Sequence, residues 1–190
     1  MSKDRFNGFI DAIVAIILTI MILDIKPPTI NTLSGLWALV EPLMAYFNTF
    51  IIIWISWYSH HELMKNLDII TYKIYWLSGL WILLMSLFPI ATAWVGEGIT
   101  ELAPNLFYLF ISLLNFANYH LLLEPAILNK IPIHLRPKVR NSISLESIRL
   151  TIIIASCIII WFWPPISLVT MLIISALHVT EHLHMWKIAR

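Results

Sequence analysis

The chain has 190 residues, 59% of them hydrophobic and 12% charged, and its mean hydropathy is +0.83. Soluble domains run nearer half apolar and a quarter charged, and disordered chains need low hydrophobicity with high net charge, so both classes are excluded. The single cysteine, Cys157, excludes a disulfide framework and a Cys-based zinc site, while the net charge of +1 says little until its distribution is read. These numbers describe a polytopic, all-α membrane protein rich in the aromatic residues found at membrane interfaces.

A hydrocarbon core of about 30 Å needs about 20 apolar residues in a helix. Six segments meet that length: Phe6–Ile25, Gly35–Tyr58, Ile74–Val95, Asn105–Leu123, Ile143–Trp163 and Ile166–Met185. Helix-breaking punctuation separates them at Lys26-Pro27-Pro28, Gly96-Glu97-Gly98, Ala103-Pro104, Glu124-Pro125 and Trp163-Pro164-Pro165. The expectation is one six-span domain over residues 1–190, with no extramembrane domain and no cleaved leader.

An even number of spans puts both termini on one side. Lys3, Arg5, Lys65, Lys73, Lys130, Arg136, Lys138, Arg140, Lys187 and Arg190 fall there, against Lys26 with Asp24, Glu41, Glu97 and Glu101 opposite. The excess of basic residues expects a multi-pass cell-membrane protein with both termini cytoplasmic. The basic stretch Lys130–Arg140 is what this topology requires, and no nucleic-acid partner is expected from it.

The first span carries the most informative pattern. Asp11 lies about one and a half turns beyond Arg5, at a depth where a lone carboxylate costs about 2.5–3.5 kcal/mol. Its partner is expected to be Arg5 or a polar group on a neighbouring helix; the alternative is that Asp11 sits in the headgroup layer. Ile16, Ile20 and Leu23 share one stripe with Thr19 beside it, and Asp11 lies about 140° away from Ile16. Periodicity alone leaves open whether that stripe meets lipid or lines a path.

Arg5, Phe9 and Asp11, opening a span that ends Leu23-Asp24-Ile25-Lys26, form an Arg-x-x-x-Phe-x-Asp motif. The motif resembles that of the prokaryotic, single-repeat members of the TMEM175 family of potassium channels, with Ile10 where the family has serine. The resemblance extends more weakly to Trp57-Tyr58-Ser59-His60-His61 at the end of the second span and Leu87-Phe88-Pro89 in the third. The asparagine expected early in the third span is absent around Ser78-Gly79.

The resemblance implies a homotetramer in membrane lipid whose four first helices line a pore for monovalent cations. Ile16 would form the narrow ring, Ile20 and Leu23 further rings, and Thr19 would offer hydroxyls near the same level. Arg5, Phe9, Asp11, Trp57 and His60 would form the packing and hydrogen-bond network that holds the first helix. The chain contains no Thr-Val-Gly-Tyr-Gly filter. Preference for potassium would therefore rest on pore width and partial dehydration at the aliphatic ring, which can also close by dewetting. Potassium is expected only as the permeant ion, with no cofactor.

Three other polar groupings need a reading. His178-Val179-Thr180-Glu181-His182 fits a zinc-peptidase pattern, but the chain leaves little room for a third ligand, and an interfacial face explains it better. Glu146 and Arg149 are spaced to pair on one helix face, and Asn115 and Asn118 read as interhelical hydrogen-bonding residues. No nucleotide-binding glycine loop or nucleophile elbow occurs, so no enzyme and no metal centre is expected. The alternative function is a small secondary transporter using Asp11, Glu146, Arg149 and the histidines. No internal repeat of the kind such carriers show relates the two halves.

Overall fold

The computed structural model describes residues 2–29, 31–132 and 143–188, with side chains of 143–146 and 180–188 outside the description. The described residues are helical throughout, without a strand. Helix α1 runs Lys3–Leu23 and ends at Asp24, just before the Lys26-Pro27-Pro28 break. A 3-10 segment, Leu33–Leu39, leads into α2, Val40–Lys65. There follow α3 (Tyr72–Met85), α4 (Phe88–Glu97), α5 (Leu102–Phe116), a π-helical stretch at Ala117–Leu123, and α6 (Glu124–Leu128). Helices α7 (Ile143–Ile159) and α8 (Ile166–Ile188) complete the chain.

Among the described residues, four helical stretches are long and apolar enough to cross a membrane: Lys3–Leu23, Leu33–Lys65, Tyr72–Glu97 and Leu102–Leu128. The apolar described parts of α7 and α8, Ser147–Ile159 and Ile166–Val179, are shorter.

Two of the expected helices differ in detail. The third is not one continuous helix, because α3 stops at Met85 and α4 starts at Phe88. Pro89 occupies the first turn of α4, where its missing N–H costs nothing, and Leu87 N–H turns back to the Leu84 carbonyl. The Glu124-Pro125 pair, expected to end the fourth helix, instead opens α6. The π-helical stretch carries the chain through to Leu128 without a loop.

Helix α2 is the hub, packing on α1, α4, α6 and α8. Its approach to α4 is close at Gly96, where an added Cβ would lie 3.0 Å from Pro42 Cα and 3.5 Å from Ala45 Cβ. Small residues at such crossings let backbones meet where no hydrophobic effect drives helices together. Polar pairs add to the contact. Thr92 Oγ1 bonds Thr49 Oγ1 at 2.9 Å, Thr49 Oγ1 meets Tyr108 Oη at 3.0 Å, and Asn48 Nδ2 donates to the Leu168 carbonyl at 2.9 Å. Helices α2, α4, α5 and α8 are thereby fixed against one another, and α1 packs on α2 and α4 of this set.

Replacing Gly96 by Ala should destabilise the α2–α4 crossing by about 1–3 kcal/mol through overpacking against backbone. Thermal unfolding in detergent measures it, and an unchanged midpoint would refute the close-approach reading.

The first helix and its anchors as the candidate functional site

Helix α1 divides cleanly into faces. Phe6, Ile10, Val14, Ile17 and Met21 are buried, and they recur at the spacing of one helical stripe against α2, α3 and α4. Phe9, Ile16, Thr19, Ile20 and Leu23 are exposed on a second stripe, with Ile16 55% and Leu23 78% accessible. A membrane helix that is apolar all round has no intrinsic reason to favour either stripe. The choice is made by the polar contacts at its N-terminal end.

The main contact is between α1 and α2. Trp57 Nε1 donates to Asp11 Oδ1 at 2.7 Å. A charge-assisted hydrogen bond of this length offsets much of the cost of placing a carboxylate beside lipid. The partner is thus the neighbouring-helix group rather than Arg5, which is exposed and makes no ion pair among the described residues. Two further ties act at the same end. Lys3 Nζ donates to the Lys65 carbonyl at 2.9 Å, and the Phe6 ring lies 5.6 Å from that of Tyr75 on α3.

The adjacent histidines take opposite roles. His61 packs its ring 5.4 Å from Trp57 and so supports the anchor. His60 is buried and turns to α3, stacking 4.5 Å from Trp81, with Tyr119 at 6.2 Å. The site residues therefore separate into Asp11 with Trp57, His60 in the α3 contact, and Arg5 and Phe9 on the surface.

At the other end of α1, Ile16 and Ile20 border an open groove with Ser86, Pro89 and Ile90, created where α3 breaks into α4. Thr19 Oγ1 donates to the Ile16 carbonyl at 2.9 Å. Its proton is used within the helix, so its remaining lone pairs point outward as acceptors.

The other groupings resolve as follows. Arg149 is buried, while the side chain of Glu146 lies outside the described residues. His178 Nε2 lies 2.8 Å from Ser59 Oγ, and the side chains of Glu181, His182 and His184 are likewise outside the description. Among the described residues no cluster of His, Cys, Asp or Glu has metal-binding geometry. The interhelical bonds expected of Asn115 and Asn118 are not formed by Asn115 Nδ2 or by either polar atom of Asn118. A half-buried His120–Glu124 pair at 2.8 Å, i and i+4 across the π-to-α6 junction, was not anticipated, although that spacing was visible in sequence.

The described residues thus form a helix bundle whose first helix is polar-anchored at one end and bare along one stripe. Residues 5–89 match the profile of the family described as endosomal/lysosomal potassium channel TMEM175. A potassium channel of Chryseobacterium sp. (strain P1-3) is 35% identical over 96 residues, 50% of this chain and 50% of that protein. One of Streptomyces collinus is 31% identical over 101 residues, 51% of this chain and 49% of its own length. The match thus spans about half the length of these curated relatives. The crystal structure of a lysosomal potassium-selective channel TMEM175 homolog from Chamaesiphon minutus superposes with a TM-score of 0.79, covering 96% of this chain and 97% of that one at 19% identity. Residues 5–89 of the chain, a little under half of it, thus resemble the TMEM175 family, and the relatives it matches are named as potassium channels. The motif residues Arg5, Phe9, Asp11 and Trp57 all lie inside the matched segment.

Trp57→Phe keeps the ring but removes the donor, and should cost about 1–3 kcal/mol by stranding the Asp11 carboxylate. Adding Asp11→Asn should then cost little more. A double-mutant cycle on thermal unfolding tests this, and strictly additive losses would show that the two side chains are not coupled.

Proposed function

We propose that the protein is a homotetrameric, potassium-favouring cation channel of the cell membrane, with six spans per subunit and both termini cytoplasmic. Four copies of α1 line its central pore. The observation that carries this reading is the bare stripe Phe9–Ile16–Thr19–Ile20–Leu23. The subunit's own helices cover the opposite face of α1 and leave this one open, and the Asp11–Trp57 bond sets its rotation. One bundle with one such stripe encloses nothing, whereas four around an axis enclose a path. The names of the relatives and the shared fold support the same conclusion.

In the assembled pore Ile16 is the narrow ring, with Ile20 and Leu23 toward the outside. The Thr19 oxygens, acceptors once their protons bond Ile16, return part of the hydration a cation gives up at the isoleucine ring. Aliphatic side chains return none, so selectivity for potassium, which dehydrates more easily, is modest. The same ring closes by dewetting when it narrows. No described feature favours a carrier, since Asp11 is bonded to Trp57 and His178 to Ser59, on separate contacts rather than one relay.

Ile16→Asn should raise potassium flux in reconstituted vesicles and lower the potassium-to-sodium preference severalfold. Crosslinking of the purified protein should show four subunits. Unaltered selectivity would remove Ile16 from the constriction.

A further inference from the structure

Behind α2, on the side away from α1, the bundle holds a half-open chamber with about 60 Å³ of space for water. Helices α2, α5, α7 and α8 and the π-helical stretch supply its walls, with Phe88 of α4, and no residue of α1 lines it. It therefore lies outside the conduction path proposed above. Its lining mixes polar side chains, among them Ser56, Ser59, Asn115, Ser175 and His178, with apolar ones such as Ile52.

Two observations show that the chamber is built for an occupant. Asn115 is only 5% exposed, lines the space, and its Nδ2 donates to nothing. A buried donor left unpaired costs about 1–3 kcal/mol, and buried amides of this kind bond to solvent or ligand. The helix next to it is π-helical from Ala117 to Leu123, which places His120 on the chamber wall while it bonds Glu124. Such π-bulges concentrate at functional sites.

We infer that this chamber is a binding site for small uncharged hydroxyl compounds of about three or four heavy atoms, held by about four waters in their absence. The hydroxyl end of the guest bonds Asn115 and Ser175, and its hydrocarbon end lies against Ile52. No carboxylate is among the described lining residues, and Glu124, next to them through His120, is already paired with it, so nothing in the described wall calls for a charged guest. Ser56 and Ser59 bracket Trp57 on α2, so the occupied chamber adjoins the turn that holds Asp11.

The test uses the full chain in lipid vesicles with Cys157→Ala and Ser175→Cys, methyl methanethiosulfonate as the thiol reagent and 1-propanol as the probe. Intact mass reads the extent of modification, and this readout is indifferent to whether the protein conducts. The folded protein should be modified, and 1-propanol should slow that reaction severalfold without slowing a Ser34→Cys control on the exposed surface. Modification only after denaturation, or equal slowing of both thiols, would overturn the proposal. Should Ser175→Cys fail to fold, Ser56→Cys carries the same readout with the same two outcomes.

Discussion

The hydrogen bond from the Trp57 indole to the Asp11 carboxylate decides how α1 is turned. Helix α1 is apolar on nearly every side, and in lipid no hydrophobic driving force selects one apolar face over another. A single charge-assisted bond near its N-terminal end, backed by His61 against the indole, is therefore enough to set the rotation of the whole helix. With that rotation Phe6, Ile10, Val14, Ile17 and Met21 pack inward, and Ile16, Ile20 and Leu23 are left bare. A different partner for Asp11 would bring a different stripe outward.

The rest of the bundle supports that anchor. Trp57 is held on α2, which the Gly96 approach and the Thr49–Thr92–Tyr108 contacts lock to α4 and α5. Asn48 ties the same helix to α8. Polar contacts thus immobilise α2, the helix to which Asp11 and Lys3 tie α1. The break between α3 and α4 then opens a groove beside Ile16 and Ile20. It does so at the level where the account needs those side chains to have room to move.

Much of this was legible in the sequence, for identifiable reasons. The end of α1 at Asp24 follows from Pro27 and Pro28, and the grouping of Ile16, Thr19, Ile20 and Leu23 on one side follows from the helical repeat. Exposure of that stripe did not follow, since the residues on every side are equally apolar. The identity of Asp11's partner was also out of reach, because Trp57 lies 46 positions away and only tertiary packing brings it close. His60 and His61 are neighbours in sequence but point about 100° apart on a helix, so one supports Trp57 and the other stacks on Trp81. Pro89 signalled a break that length alone had smoothed over, whereas the π-helical stretch has no comparable signature. Asn115 was read as an interhelical hydrogen-bonding residue, whereas its Nδ2 is left unpaired beside a chamber whose lining comes from several separate helices and has no linear trace.

The central claim is that copies of α1 face one another around an axis through the stripe that ends at Leu23. Disulfide crosslinking tests it most directly, using Leu23→Cys in a Cys157→Ala background, in lipid, under mild oxidation. The account predicts efficient subunit-to-subunit bonds at Leu23→Cys and none at Met21→Cys, which faces the subunit's own core. Absence of crosslinking at Leu23→Cys, with the same thiol reacting readily with a lipid-soluble maleimide, would place the stripe against acyl chains and contradict it.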